Sequence, residues 1–303
     1  MPHDHGHAHS HTPTNFGFAF AVATLLNFAL VAVQVVYGLS ANSIALLADA
    51  GHNFGDALGL LLAWGAHVLA RRNPTERYTY GLRSASILSA LVNAVMLLIA
   101  TGAIAWEAIR RFSNPGEVAG LTVMVVASAG IVINTVSAWL LMSGRKADLN
   151  IHGAFLHLAA DAAVSVGVVV AGALILLFGW TWIDPVTSLV ISAVIVWGTW
   201  GLLWESVQLS MAAVPSAIEP ADVRTYLEKL PGVASVHDLH IWAMSTTENA
   251  LTCHLVLPGG HPGDAFLADL CHDLEHRFRI NHPTVQIEVG DAGACVLEPA
   301  TTV

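Results

Sequence analysis

Six stretches of the chain are apolar and long enough to cross a bilayer, and short polar turns separate them. Crossing the hydrocarbon layer takes roughly 20 mostly apolar residues. Turn-forming residues such as Gly38, Pro74, Pro115 and Pro185 interrupt the pattern between these stretches. The pattern therefore predicts six membrane-spanning helices, at 16–37, 44–69, 85–109, 121–142, 151–178 and 183–204.

From Pro215 onward the pattern changes to the short elements of a water-soluble domain. It predicts helices at 222–230 and 264–278, and strands at 233–244, 249–257 and 284–289. An order of helix, strand, strand, helix, strand is typical of helices packed on one face of a sheet. We therefore expect a mainly α membrane protein made of a histidine-rich tail (1–15), a six-helix domain (16–210) and a C-terminal α+β domain (215–303).

Composition agrees with a membrane protein. Hydrophobic residues make up 55% of the 303 residues and charged residues only 11%, and the mean hydropathy is +0.62. The segment from Pro215 onward holds twelve of the 22 acidic and four of the 12 basic residues. The net charge of −10 argues against a nucleic-acid partner and suits a protein that handles cations. The three cysteines have no CxxC spacing, so the sequence supports neither a disulfide framework nor a thiolate metal cluster.

The basic residues predict the orientation of the spans. The second-to-third and fourth-to-fifth connections hold six arginines and lysines, whereas the connections on the other side hold two. Cytoplasmic loops carry the excess of basic residues. With six spans, both termini are then cytoplasmic, and the inner (cytoplasmic) membrane is the expected location. The N-terminus opens with histidines rather than a basic segment and an apolar core, so we expect no secretory signal.

Ionisable residues inside the predicted spans are concentrated on two helices. The second span holds Asp49, His52, Asp56 and His67, and the fifth holds His157 and Asp161 with His152 near its entrance. Such a residue is costly in the bilayer unless it is paired, hydrated or bound to a ligand, so it is a functional hypothesis by default.

The spacing of these residues indicates a metal site. His52 and Asp56 are four residues apart, and so are His157 and Asp161, which places each pair on one helix face. Two imidazoles and two carboxylates from facing helices make a reasonable tetrahedral zinc site. The alternative is that these groups hydrogen-bond across helices and only orient the packing.

Asp49 and His67 have weaker interpretations. Asp49 lies three residues before His52, and it is either a metal ligand at the entrance of the site, a proton acceptor, or a capping acid at the start of the span. His67 lies near the cytoplasmic end of its span, where an interfacial residue is expected rather than a ligand.

These motifs resemble the cation diffusion facilitator family, in particular its zinc-transporting branch. The resemblance rests on residues 43–50 (SIALLADA) before His52 and Asp56, on residues 150–157 (NIHGAFLH) before Asp161, on residues 183–185 (IDP) and on residues 236–242 (VHDLHIW). It implies six spans, a cytoplasmic ferredoxin-like domain, a homodimer and metal/proton antiport. It also implies that the ligands of the transported metal are His52, Asp56, His157 and Asp161, with His52 typical of zinc-selective members.

The chain departs from the family pattern in one place, and the resemblance does not decide the role of the N-terminal tail. Some members bind a second metal in the connection between spans two and three, but residues 77–83 (RYTYGLR) hold neither histidine nor acid, so we expect no metal site there. The tail alternates histidines with other residues over 1–11. Such a tract either binds zinc or nickel weakly or is a disordered polar tail without a role in transport.

The C-terminal domain contains further candidate ligands. By the resemblance these are His237, His254, His282 and Glu288, with Asp238 and His240 as neighbours. The alternative is that these are ordinary surface histidines. His272 and His276, four apart on a predicted helix, form a weaker candidate pair.

The expected function is efflux of zinc or a similar divalent cation in exchange for protons, by alternating access. Metal binding requires deprotonated ligands, so protons compete with the metal for the site. The chain has no GxxxxGK[ST] motif, and no nucleotide or organic cofactor is expected. Two rivals are a membrane metalloenzyme, against which the missing HExxH motif argues, and a metal sensor that does not transport. Cobalt, nickel and cadmium accept similar ligands.

Overall fold

Six long helices and a small α/β domain make up the part of the chain that the computed structural model describes, which is residues 16–113, 116–141, 149–290 and Cys295. The long helices have 22 to 30 residues, enough at ~1.5 Å per residue to cross ~30 Å of hydrocarbon. Their bounds are α1 Phe16–Ser40, α2 Ile44–Ala70, α3 Ala85–Ser113, α4 Gly120–Leu141, α5 Leu149–Phe178 and α6 Ile183–Ser210.

Each predicted span lies on one of these helices. Among the described residues, α3, α4, α5 and α6 contain segments long and apolar enough to cross a membrane, with mean hydropathies of 1.9 to 2.3. In α1 the segment Leu25–Ser40 is a shorter apolar helix, and α2 carries Asp49, His52, Asn53 and Asp56 in its apolar sequence. Large apolar side chains such as Trp106, Trp139 and Trp197 face outward. The mainly α membrane fold is confirmed, with four clear spans among the residues whose side chains the structure describes.

The chain forms two compact units, and the first contains the described residues up to Leu58 together with Met96–Gly198. In it α4 and α5 approach closely because glycines face each other. A Cβ on Gly172 would lie 2.8 Å from Met124 Cγ, and one on Gly120 would lie 2.8 Å from the Gly172 carbonyl oxygen. The core of this unit contains Leu46, Val123, Val168, Ile191 and Ile195.

The N-terminal end of α2 is held within the same unit by the first turn of α6. The buried carboxylate of Asp184 accepts hydrogen bonds from the Ser43 hydroxyl, from Ile44 N at 2.7 Å and from Ala45 N at 3.4 Å. These backbone donors have no partner inside their own helix, and a carboxylate stabilises the positive end of the helix dipole. Asp184 therefore joins α6 to the helix that carries His52 and Asp56.

The second unit contains Gly59–Val95 and the described residues from Thr199 onward, and it includes the C-terminal domain. The elements of that domain are α7 Pro220–Glu228, β1 Ser235–Ala243, β2 Asn249–Val256, α8 Asp264–Phe278 and β3 Ile280–Glu288. This order of helix, strand, strand, helix, strand confirms the one predicted for the α+β domain. The sheet order is β1-β2-β3, with β1 antiparallel and β3 parallel to β2.

The helices α7 and α8 bury an apolar stripe against the sheet. Val223 and Leu227 of α7 and Leu270 and Leu274 of α8 are buried in one cluster with Leu255 of β2. Burying side chains of this size is worth about 1.5–3 kcal/mol each. The cluster therefore fixes how the helices sit on the sheet.

The third strand begins four residues earlier than the sequence predicts. Arg279 ends α8 with a positive φ of 57°, and Ile280 already pairs with Asn249. Pro283 lies inside β3, which is possible because β3 is an edge strand and needs donors on one side only. Because proline is rare inside strands, the sequence pattern did not predict the first four residues of β3 as part of a strand.

Candidate metal sites

Three of the four predicted intramembrane ligands lie together. His52 and Asp56 occupy successive turns of α2, and His52 Nδ1 lies 3.7 Å from Asp56 Oδ2. His52 Nε2 lies 3.1 Å from Asp161 Oδ1 on α5. Each of the three residues offers one ligand atom within 4.8 Å of the others. We call His52, Asp56 and Asp161 the intramembrane cluster.

The remaining predicted residues of this region are only partly described. His157 belongs to α5, one turn before Asp161, so the helical repeat places it on the same face. The side chains of His157, His152 and His67 lie outside the described part of the structure, as do residues 1–15 of the histidine-rich tail. The fourth ligand therefore stays a prediction.

The chemistry of the intramembrane cluster suits a divalent cation. Its side chains are largely removed from water, with 3% of the Asp161 side chain and 19% of the His52 side chain exposed. Two carboxylates so close together repel each other, and the repulsion is stronger away from water. A cation between them would offset that repulsion, and the imidazole nitrogen and carboxylate oxygens are ligands that zinc accepts.

Asp49 does not belong to this cluster but lies near it, in a buried polar network. It is fully buried in the second turn of α2, so it is not a capping or loop-facing acid. Its Oδ2 accepts hydrogen bonds from Gln34 Nε2 at 2.5 Å and from Ser165 Oγ at 3.4 Å. Asn53 Nδ2 donates to Gln34 Oε1 at 3.2 Å and to the Asp49 carbonyl at 3.0 Å. This network joins α1, α2 and α5.

The C-terminal domain contains a second cluster, formed by His237, His254, Glu288 and Cys295. We call it the C-terminal cluster. His254 Nδ1 lies 2.9 Å from Glu288 Oε1, and His237 Nε2 lies 3.3 Å from the same oxygen. The Cys295 thiol lies 3.6 Å from His254 Nδ1. One ligand atom from each of the four residues lies within 4.8 Å of the others.

Strand register explains why three of these residues meet. His237 of β1 pairs directly with His254 of β2. Glu288 of β3 pairs with Val256, two residues beyond His254, and residues two apart along a strand share a face. Cys295 follows seven residues after Glu288. The cysteines have no CxxC spacing, so the sequence did not indicate Cys295 as a ligand.

His282 is not brought to the C-terminal cluster. It pairs with Ala250, four residues before His254 along β2, and its ring makes an edge contact with Tyr80 at 5.4 Å between centroids. Because β3 runs parallel to β2, its beginning and its end lie at opposite ends of the pairing. His282 and Glu288 therefore cannot serve one compact site.

The other candidates surround the cluster or lie away from it. Asp238 Oδ2 lies 3.5 Å from His254 Nε2, and Asp238 Oδ1 lies 2.9 Å from the exposed His240. The rings of His272 and His276 lie 4.0 Å apart between centroids, tilted by 35°, on the exposed face of α8. Asp238 therefore neighbours the C-terminal cluster, whereas the two histidines of α8 form a separate pair.

The surroundings of one acid and one thiol in the C-terminal domain shift their pKa values. Burial acts to raise the pKa of Glu288, but a hydrogen bond with Cys295 and the charges of His237 and His254 outweigh it, so that pKa is lowered. Glu288 is therefore held as the carboxylate that a metal ligand must be. Burial raises the pKa of Cys253 to about 12, which keeps this thiol protonated within the sheet.

Comparison with known proteins agrees with both parts of the fold. Residues 20–209 match the cation efflux transmembrane domain, and residues 215–289 match the cation efflux protein cytoplasmic domain. A zinc transporter of Escherichia coli, ZitB, is 38% identical over 258 residues, which is 84% of this chain and 82% of that protein. A cadmium, cobalt and zinc/H(+)-K(+) antiporter of Bacillus subtilis is 36% identical over 261 residues, or 84% of each chain.

A third relative and a solved structure complete the comparison. The metal cation efflux system protein CzcD of Cupriavidus metallidurans is 35% identical over 270 residues, covering 88% of this chain and 85% of that protein. A solved metal-bound C-terminal domain of that organism's CzcD transporter is 37% identical over 24% of this chain and all of its own, with a TM-score of 0.23. On the two domain matches and the near-full-length relatives, this chain belongs to the cation efflux family, the cation diffusion facilitators, whose members are membrane transporters rather than enzymes.

Proposed function

We propose that this chain exports zinc and chemically similar divalent cations in exchange for protons, by alternating access as a homodimer. The observation that carries the proposal is the intramembrane cluster, with ligand atoms of His52, Asp56 and Asp161 within 4.8 Å of one another between two long helices. The related proteins named above, which handle zinc, cadmium or cobalt, support it.

In this mechanism His52, Asp56 and Asp161 bind the cation together with His157 from the preceding turn of α5. Two nitrogens and two oxygens complete a tetrahedral shell and neutralise the divalent charge. The cation enters from the cytoplasm, and movement of α2 against α5 exposes it to the other side. Protons from that side compete for the same lone pairs and displace it, which couples export to the proton gradient.

Asp49 holds the helices in place in this proposal rather than receiving the metal at an entrance. It is fully buried, and its Oδ2 already accepts from Gln34 and Ser165. Asparagine at position 49 keeps an oxygen that accepts these bonds, whereas alanine does not. Asp49→Asn should therefore retain zinc flux and Asp49→Ala should lose most of it. A ligand at the entrance would be disabled by both substitutions.

The C-terminal cluster binds a second cation that regulates transport. His237, His254, Glu288 and Cys295 provide a closed set of four ligands, which is typical of a structural site rather than a transport site. The segment from Pro215 carries eight more acids than bases, so two copies in a dimer repel each other. Bound cations would offset part of that repulsion and favour the dimer.

Orientation follows from the basic residues. The two connections with six arginines and lysines face the cytoplasm, and so do both termini and the C-terminal domain. The bilayer concerned is the cytoplasmic membrane. In this arrangement the C-terminal cluster samples the cytoplasmic metal concentration.

The experiment that tests the function is zinc uptake into everted membrane vesicles driven by an imposed pH gradient. We expect uptake by the wild type and none above background for Asp161→Ala. Glu205→Ala is the matched control, because it removes a carboxylate from α6 outside the intramembrane cluster. Zinc binding without uptake in the wild type would favour the sensor hypothesis, and full uptake by Asp161→Ala would show that the intramembrane cluster is misassigned.

A further inference from the structure

A cavity of about 770 Å³ lies where α2 ends and α3 begins, within the second compact unit. We call it the arginine cavity. Its polar wall includes Arg71, Arg72, Arg83, Ser86, Asn93 and Thr246. The volume falls in the range of ~300–1,000 Å³ that small-molecule sites occupy.

The arginine cavity carries excess positive charge. Glu248 is the only acidic residue that lines it within the described part of the chain, and Arg83 Nη1 already pairs with Glu248 Oε2 at 2.6 Å. Among the described residues, no ion pair joins Arg71 or Arg72 to a carboxylate. Two guanidinium groups are therefore left to attract an anion, and a guanidinium matches the geometry of a phosphate.

Another part of the cavity wall is already fixed. The turn between β1 and β2 is tied to the start of α3, because Thr246 N donates to Ser86 Oγ at 3.1 Å and Ser84 Oγ donates to the Met244 carbonyl at 3.2 Å. The Arg83–Glu248 pair fastens the same turn. A preformed wall lowers the entropy that a ligand must lose on binding.

The arginine cavity is also amphipathic. Its lining includes apolar residues of the membrane helices, namely Gly59 of α2, Ala90 of α3 and Leu202 of α6, with the polar Asn93 beside Gly59. Its charged end begins at Arg71, directly after the last residue of α2. Charged residues that follow an apolar span lie at the level of the lipid headgroups. One cavity therefore offers cations at headgroup depth together with apolar side chains of the membrane helices, Leu202 being the largest.

We propose that the arginine cavity binds the phosphate of an anionic phospholipid, with Arg71 and Arg72 at the phosphate and an acyl chain against Leu202. The proposal rests on the proposed function only for its orientation, since the cytoplasmic leaflet is the side rich in anionic lipid. The lipid would bridge α2, α3 and the β1–β2 turn, and so stabilise the contact between the helices and the C-terminal domain inside this unit.

The test uses the full-length protein, without metal, in nanodiscs of phosphatidylcholine alone or mixed with phosphatidylglycerol. Native mass spectrometry measures retained phosphatidylglycerol, and thermal unfolding measures stabilisation. We expect wild type to retain phosphatidylglycerol and to unfold at a higher temperature in the mixed discs. Arg71→Gln and Arg72→Gln should each weaken retention about ten-fold, as expected when one charge-assisted contact is removed.

The matched control is Arg77→Gln, which removes an equal charge from the same connection but does not line the cavity. Retention by this variant should equal that of wild type, and all variants should unfold alike in phosphatidylcholine alone. Equal losses of retention for Arg71→Gln, Arg72→Gln and Arg77→Gln would overturn the proposal. They would show that phosphatidylglycerol is held by diffuse attraction to the basic surface. An equal shift from inorganic phosphate in phosphatidylcholine discs would show that the cavity takes free phosphate instead of lipid. This experiment measures neither metal binding nor zinc flux. Its outcome is therefore independent of the outcome of the vesicle uptake assay that tests the proposed function.

Discussion

The intramembrane cluster and the C-terminal cluster use similar ligands but are assembled by different rules. His52 and Asp56 are four residues apart on one helix, so the local helical repeat is sufficient to bring them together. His237, His254 and Glu288 come from three strands, and a shift of one residue in register would turn a ligand to the other face of the sheet. The part of the first site that α2 supplies is thus determined locally, whereas Asp161 joins it through the packing of α5 against α2, and the second site depends on strand pairing throughout.

The surroundings of the two clusters also differ. The intramembrane cluster lies between long apolar helices, and its exposure ranges from 3% of the Asp161 side chain to 29% of the Asp56 side chain. The C-terminal cluster lies on a three-stranded sheet, with 10% of the His254 side chain and 23% of the Glu288 side chain exposed. Asp161 is therefore the ligand with the least access to water, and a buried charge that loses its partner is costly. We expect the most severe damage from substitutions at or beside Asp161.

The largest expected effect comes from a substitution that weakens metal binding at the C-terminal cluster and leaves the intramembrane ligands intact. His254→Ala should weaken zinc binding to the C-terminal cluster by at least about 100-fold. Loss of a residue that only hydrogen-bonds to a ligand costs about 10- to 100-fold in metal affinity, and His254 is a direct ligand. The maximal rate of pH-driven zinc uptake should remain, because the intramembrane ligands are untouched, while the zinc concentration needed to reach that rate should rise, because the regulatory site is weakened. Calorimetric titration of the full-length protein and vesicle uptake measure the two quantities. Equal loss of both would mean that the two sites act as one.

A second substitution tests whether the intramembrane cluster selects the metal. His52→Asp replaces an imidazole by a carboxylate, and carboxylates suit manganese better than imidazoles do. We expect the ratio of zinc to manganese transport to fall about ten-fold while some transport remains. Competition uptake with both metals in one assay measures the ratio. An unchanged ratio would remove His52 as a selectivity residue.

A smaller effect tests the ligand that spacing alone did not reveal. Cys295→Ser should lower zinc affinity of the C-terminal cluster about ten-fold, because a thiolate is lost from a four-ligand set. Cys271→Ser is the matched control, since Cys271 is exposed on α8 and does not belong to the cluster. Titration of both variants compares them. Equal affinity of the two would leave the site with three ligands.

The smallest expected effect concerns His282. His282→Ala should leave zinc binding to the C-terminal cluster unchanged, because the register places His282 beside Ala250 rather than at His254. The variant should only lose the ring contact with Tyr80. Titration together with thermal unfolding distinguishes these outcomes. A drop in zinc affinity as large as that of Cys295→Ser would contradict the strand register.

Sequence alone was sufficient wherever the interaction is local. The apolar stretches predict the positions of α1 to α6, and the αββαβ order of the C-terminal domain follows from short-range patterns. The four-residue spacing of His52 and Asp56 likewise predicts a shared face. Periods of 3.6 and two residues are properties of the backbone itself, so these features are encoded in neighbouring residues.

Tertiary structure decided what depends on residues far apart in the chain. The parallel pairing of β3 placed Glu288 at the C-terminal cluster and His282 away from it, and the chain beyond β3 brought Cys295 to His254. The arginine cavity depends on Arg83 meeting Glu248, 165 positions later. Such meetings result from the packing of whole elements, because side-chain spacing carries no information about which distant segments will be neighbours.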